Sequence, residues 1–191
     1  MTVHVSLRRL ALFTAFVALA AGAAPAAAQA PPRESTDQIV RRMLAKEQIE
    51  QVLLEYGRAL DARDFTAYSN LFASDGEWVG GFGSVKGPAN IKAFMEKNMG
   101  TGGNATHNYH LLSNFVITVT GDTATAWSRW AFVQPQQAGG AVIAQAGRYD
   151  DTFVRENGVW KFKKRTASND TGRPTGAQVR PLTAPESPSS K

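Results

Sequence analysis

The amino-acid sequence predicts an α+β domain, with about three helices in its N-terminal half packed on one face of a curved antiparallel sheet formed by its C-terminal half. Two observations carry that reading. Apolar residues recur at helical spacing from Ile39 to Met95, and from His107 onward the period falls to two. Asn157-Gly158, a dipeptide suited to a type I′ turn, then separates two long alternating runs. The size agrees: 191 residues, 43% hydrophobic and 9% aromatic, make one ordinary domain with a real core, neither disordered nor low-complexity.

The elements follow in order. Ser35 or Thr36 caps a helix whose apolar residues Ile39, Val40, Met43, Leu44, Ile49, Val52, Leu53, Tyr56 and Leu60 carry it to Ala62. Asp64 caps a second, short helix over Phe65 to Phe72. Glu77 to Phe82 is a short strand with glycines at both ends. Pro88 starts a third helix with Ile91, Phe94 and Met95 as its buried face and Gly100 as its stop. Strands are expected over Asn114–Thr120 and Thr123–Val133, joined by Gly121-Asp122, and over Ala141–Arg155 and Val159–Ala167, joined by Asn157-Gly158.

Both ends read differently from the middle. Arg8 and Arg9, the apolar run Leu10–Ala24 and Ala26-Ala27-Ala28 have the form of a secretory signal, with cleavage expected after Ala28. Pro31-Pro32 lies in a linker over 29–35, the domain spans 36–170, and the small, polar, Pro-containing segment 171–191 is expected to be a disordered tail. The protein is therefore expected in the periplasm or outside the cell, with no stable membrane insertion once the signal is removed. The formal charge of +5 drops to +3 without residues 1–28, since Arg8 and Arg9 leave and no acid does. No basic stripe interleaved with aromatics remains, so nucleic acid is not an expected partner.

Zero cysteines exclude disulfides, thiolate nucleophiles and zinc ribbons. Of three histidines His4 belongs to the leader, leaving His107 and His110. Their odd spacing points them to opposite faces of a strand, so at most one enters a cavity, and no third ligand stands nearby to make a metal site. Asp61 sits near the end of the long helix, five residues after Tyr56. Arg165 closes the run Trp160-Lys161-Phe162-Lys163-Lys164-Arg165. Its parity opposes Trp160 and Phe162, so either it faces away from them or a bulge intervenes. Trp78, Phe82, Trp127, Trp130 and Phe132 are the aromatics available to line a cavity.

Taken together, Tyr56 to Asp61, Asp75-Gly76-Glu77-Trp78, Lys86-Gly87-Pro88, His110-x-x-x-Asn114, Gly121-Asp122-Thr123-Ala124, Gly147-Arg148-Tyr149-x-Asp151 and Asn157 to Phe162 resemble a SnoaL-like domain of the nuclear transport factor 2-like superfamily. Within it the chain is most similar to the lindane dehydrochlorinase and bile-acid dehydratase branch, with scytalone dehydratase more distant. The resemblance implies a cone, a strongly curved sheet wrapped around a pocket and closed by the long helix. It also implies a dyad of Asp61 and His110, with Arg165 and Tyr56 at the remaining catalytic positions. Asn114 and Tyr149, which belong to the matched motifs, join Trp78, Phe82, Trp127 and Trp130 as expected substrate-binding residues.

The expected activity is that of a cofactor-independent lyase. A carboxylate bonded to one imidazole nitrogen leaves the other to take a proton from a small hydrophobic substrate, aromatic compounds among the candidates, that loses water, halide or formaldehyde. Arg165 would receive a departing anion and Tyr56 would protonate a departing hydroxyl or bind the substrate. The alternatives are a non-catalytic periplasmic ligand-binding module and an isomerase using the same base. The relatives imply a homotrimer, with a homodimer as the alternative.

Overall fold

Helix α1 (Thr36–Ala62) opens with a capping box: the Gln38 N–H donates to the Ser35 hydroxyl, and the Ser35 N–H donates to the Gln38 side-chain oxygen at 2.7 Å. It closes at Arg63, in the left-handed conformation with φ 59°. The computed structural model describes residues 34–103 and 107–171. The expected signal and all of the expected tail beyond Thr171 lie outside the described residues. Among the described residues no helix is long and apolar enough to cross a membrane.

Asp64 caps α2 (Phe65–Asn70) by accepting the Ala67 N–H at 2.9 Å. This helix stops short of the expected Phe72, because Phe72 already belongs to β1 (Phe72–Gly80), which folds back through a tight turn onto β2 (Gly83–Lys86). The sequence reading missed β2, whose four residues carry too little alternation to register. Helix α3 (Pro88–Met99) has Pro at its first turn and Gly100, φ 77°, as its stop. Four long strands follow: β3 (Tyr109–Thr120), β4 (Thr123–Pro135), β5 (Ala141–Glu156) and β6 (Val159–Asn169). Asn157 and Gly158 both have positive φ, 52° and 81°, as a type I′ turn requires.

The six strands form one sheet in the order β2-β1-β6-β5-β4-β3. All neighbours are antiparallel except β1 and β6, which run parallel, so the sheet is mostly antiparallel as expected. Four of the pairings contain a register shift. Such bulges bend a strand and increase its twist, and here they curl the sheet around the helices without closing it. Each bulge also inverts which residues face inward. On β6, Thr152 pairs with Lys164 but Phe153 pairs with Phe162, so Lys163 is the extra residue. Arg165 therefore joins Trp160 and Phe162 on the helix-facing side, which resolves the parity question that the sequence left open.

One end of the cone is filled by aromatic rings. Phe162 lies 4.6 Å from Phe153, 5.1 Å from Phe72 and 5.6 Å from Tyr56 between ring centroids, and each of these residues is buried. The buried stripe of α1, Ile49, Leu53, Tyr56 and Leu60, recurs every three or four residues and lies in the same core. Fully burying one such side chain contributes about 1.5–3 kcal/mol. The other end, toward α3 and the start of β3, is left as a cavity.

Candidate active site

Placement of the site begins at Gly57, which is buried on α1. A Cβ there would lie 3.0 Å from the Leu112 side chain, so the missing side chain lets α1 settle closely on β3. Asp61 is one helical turn beyond Gly57, and His110 is two strand residues before Leu112, hence on the same face. The close approach thus puts Asp61 beside His110. Asp61 Oδ1 lies 2.7 Å from His110 Nδ1, and Asp61 Oδ2 accepts the His110 backbone N–H at 2.9 Å.

This double contact fixes the imidazole. Both carboxylate oxygens are used on one residue, so neither the carboxylate nor the ring can turn without losing a bond. With Nδ1–H donating to Asp61, the Nε2 lone pair is free for chemistry. The side chains are only 13% (His110) and 21% (Asp61) exposed, so the pair is held largely out of water. His110 packs on Phe132, 4.9 Å between ring centres, and lines the cavity. His107, by contrast, is exposed with φ 53° and is not among the cavity residues.

The cavity has a volume of about 540 Å³ and is lined by Tyr56, Leu60, Tyr68, Trp78, Gly81, Phe82, Met95, Met99, His110, Trp130, Phe132, Gln145, Tyr149, Ala167 and Asn169. The same cavity holds a cluster of hydroxyls. The Tyr56 oxygen accepts the Tyr68 O–H at 2.8 Å and the Trp78 indole N–H at 3.2 Å. Burial pushes the Tyr68 and Tyr149 phenols well above the ordinary range, so both stay protonated as donors. Near the mouth the Asn169 amide donates to the Gln145 side-chain oxygen at 3.2 Å. Gly147 makes room for the wall: a Cβ there would meet the Ser168 carbonyl at 1.9 Å and the Trp130 ring at 2.7 Å, so the indole can lie across the strand only over a glycine.

The expected site residues divide into two groups. Tyr56, His110, Trp78, Phe82, Trp130, Phe132 and Tyr149 line the cavity, and Asp61 stands behind His110. Three expectations are corrected. Trp127 is an odd number of residues from Trp130 on the same strand and faces outward, lying in a groove with Val116 and Thr125 and carrying Arg129 on its ring. Asn114 is the bulge residue of β3, exposed with φ 57°; it switches the strand's parity and does not line the cavity. Arg165 does point inward, yet it is 0% exposed and lies behind the cavity wall. Its guanidinium is 3.8 Å from the Tyr56 ring centre and 3.7 Å from that of Tyr149, and it pairs with Asp151 at 3.1 Å. Burial pushes the Asp151 carboxyl up to about 6, with Arg165 opposing the rise.

Tyr68, Met99, Gln145 and Asn169 were not expected at the site. Tyr68 and Met99 were readable only as helix faces, and Gln145 is brought inward by a bulge that the sequence does not announce. Among the described residues no group of three or more His, Cys, Asp or Glu is arranged to hold a metal ion.

Residues 41–166 match the SnoaL-like domain family, which covers most of the chain. The chain belongs to the SnoaL-like family. This SnoaL-like domain is 31% identical over 123 residues to an uncharacterised protein of Mycobacterium tuberculosis, covering 62% of this chain and 80% of that one. Among solved structures it is similar to a nuclear transport factor 2-like protein with a cystatin-like fold from Novosphingobium aromaticivorans. There the identity is 26% and the TM-score 0.64, over 75% of this chain and 95% of that one. It also shares its fold with a hexachlorocyclohexane dehydrochlorinase from Novosphingobium barchaimii. In that case the identity is 20% and the TM-score 0.58, over 69% and 90% of the two chains.

Proposed function

We propose that this SnoaL-like protein is a cofactor-independent lyase acting on a small, largely apolar substrate, with His110 as the base and Asp61 as its orienting partner. The observation that carries the reading is the 2.7 Å contact between Asp61 Oδ1 and His110 Nδ1, with the ring at a cavity of about 540 Å³. In the step, a C–H bond of the substrate breaks and its proton passes to His110 Nε2. The electron pair forms a new double bond while the bond to the leaving group breaks, the leaving group taking that bond's pair. Asp61 stabilises the imidazolium so formed.

The wall supports the same substrate class. Trp78, Phe82, Trp130, Phe132, Met95 and Met99 offer apolar contact, and the few polar groups, His110, the tyrosines and the Gln145–Asn169 pair, can orient a functional group. The export and homotrimer readings stand as proposals beside it. Leu111 and Val116, more than half exposed, supply apolar surface on the outer side of the sheet for subunit contact, and a light-scattering mass near one chain would count against the trimer.

The test is a screen of small hydrophobic β-hydroxy and β-halo compounds, read by mass spectrometry. Loss of the mass of water, a hydrogen halide or formaldehyde is the expected result. A product of unchanged mass would make the protein an isomerase, and tight binding with no product would make it a binding module.

A further inference from the structure

Gln145 enters the cavity by way of a bulge. Phe132 pairs with Gln145 but Val133 pairs with Ile143, so Ala144 is the extra residue and Gln145 takes its place on the inward face beside Phe132. Phe132 in turn pairs with His110. Gln145 and His110 are therefore two strand spacings apart, about 10 Å at the backbone. Both line the same cavity.

What Gln145 shows to that cavity is decided at the mouth. A side-chain amide has one end that donates and one that accepts, and its partners tell the two apart. The Thr171 backbone N–H can only donate, and it gives its proton to Asn169 Oδ1 at 3.0 Å. The Thr171 hydroxyl donates to the same oxygen at 2.8 Å and itself accepts the Ala146 N–H at 3.4 Å. Both acceptor positions of Asn169 Oδ1 are thus filled, and turning this amide over would set an NH₂ against two donors. Asn169 must therefore give an N–H to Gln145, at 3.2 Å, and Gln145 must meet it with its oxygen. The Gln145 NH₂ is left over, and among the described residues it has no hydrogen-bond partner.

We infer that Gln145 is a specificity-determining residue whose NH₂ binds a hydrogen-bond acceptor of the substrate, a carbonyl, ester, nitro or ether oxygen, and that Asn169 and Thr171 are positioning residues that hold it in this polarity. The inference rests on the lyase reading for one point, the place of that oxygen: it lies two strands away from the C–H that His110 attacks, as a handle remote from the reacting carbon. A substrate group that can only donate is disfavoured there, because it would leave the Gln145 donors unpaired. The substrate is thus an apolar molecule with an acceptor at the end opposite its acidic C–H.

The experiment uses two probes of one shape, acetophenone and α-methylstyrene, in which C=O and C=CH₂ occupy the same position. Neither carries a leaving group, so the outcome is independent of whether the protein eliminates anything, which the compound screen tests separately. Affinities are read by ligand-observed NMR titration, and the Gln145 NH₂ signals, identified by their loss in Gln145→Glu, are followed in the proton–nitrogen spectrum. The parent is expected to bind acetophenone about two- to tenfold more tightly than α-methylstyrene, the worth of one hydrogen bond, and its Gln145 NH₂ signals should shift with acetophenone alone. Gln145→Glu keeps one oxygen for Asn169 and presents the other to the cavity, so the preference should vanish or reverse. Asn169→Asp leaves Gln145 unaltered but offers it no donor. The Gln145 amide then turns over to give the carboxylate an N–H, shows the cavity its oxygen, and the acetophenone preference and the NH₂ response should both be lost. Should Asn169→Asp not fold, the parent spectrum and Gln145→Glu decide. A parent that fails to bind acetophenone or shows no preference for it, or a preference retained in folded Gln145→Glu or Asn169→Asp, would overturn the inference.

Discussion

Asp61 grips His110 at two points, the ring Nδ1 at 2.7 Å and the backbone N–H at 2.9 Å, using one carboxylate oxygen for each. A carboxylate can do this because it has only acceptors. An asparagine has one acceptor and one donor, so one of the two N–H groups would face an NH₂. Asp61→Asn is therefore expected to lower turnover by about 10²-fold in a folded protein, a sizeable part of what positioned proton transfer contributes. Nitrogen NMR of the imidazole should show the Nδ1–H form in the parent and loss of that preference in the variant. Full turnover in Asp61→Asn would separate the carboxylate from the chemistry.

The dyad depends on how closely α1 approaches β3. At Gly57 a Cβ would be 3.0 Å from the end of the Leu112 side chain, a flexible tip that can yield slightly. Gly57→Ala is expected to leave stability within about 1 kcal/mol, since the helix gains what the contact loses. Gly57→Val, with more bulk at the same point, should push the helix outward and reduce turnover more than stability. Equal loss of both in a denaturation and rate comparison would contradict this placement of the site.

Gly147 is under a stricter limit. A Cβ would fall 1.9 Å from the Ser168 carbonyl, a backbone atom, and 2.7 Å from the Trp130 ring. Gly147→Ala should destabilise the fold by at least about 3 kcal/mol, as overpacking against rigid neighbours does at its upper end. Urea unfolding measures it, and a change below about 1 kcal/mol would be inconsistent with the strand spacing described.

Asp151 makes a pH prediction whose sign is fixed. Burial raises its carboxyl from 3.8 to about 6 in the folded protein, Arg165 opposing. The folded state thus binds this proton more readily than the unfolded chain, so the stability associated with the group is full below about pH 4 and falls as pH rises through about 6. The shift corresponds to a change on the order of 3 kcal/mol. Glu55, Asp75 and Glu77 act in the opposite sense, held below the usual carboxylate range by hydrogen bonds from Arg58, Lys163 and Ser84 respectively. The comparison must therefore be with Asp151→Asn. Relative to that variant the parent should lose stability between pH 4 and pH 6, and a gain over that interval would reverse the assignment.

Much of this arrangement is legible in the amino-acid sequence. Caps and stops announce themselves chemically: Ser35, Asp64, Pro88 and Gly100 mark helix ends because orphan backbone groups need them, and Asn157-Gly158 marks a hairpin because few other residues tolerate two positive φ angles. The likeness of the motifs to a known family brought Asp61 and His110 together, which spacing alone does not. Parity across bulges was not legible. Lys163 reverses the inward face of β6 and so buries Arg165, and Asn114 does the same on β3 while itself remaining outside the cavity. Trp127 is a different case, since its odd distance from Trp130 on one strand already placed it on the opposite face. Gly57, alone in a helical pattern, was the available signal for the close approach that sets the dyad.

The account stands most directly on His110. Once the compound screen identifies an eliminated substrate, the rate constant of His110→Ala should be compared with that of the parent, with folding of both checked by circular dichroism. A fall of about 10²- to 10⁴-fold, the usual contribution of a positioned base, is the predicted result. Elimination at the full parental rate in folded His110→Ala would contradict it.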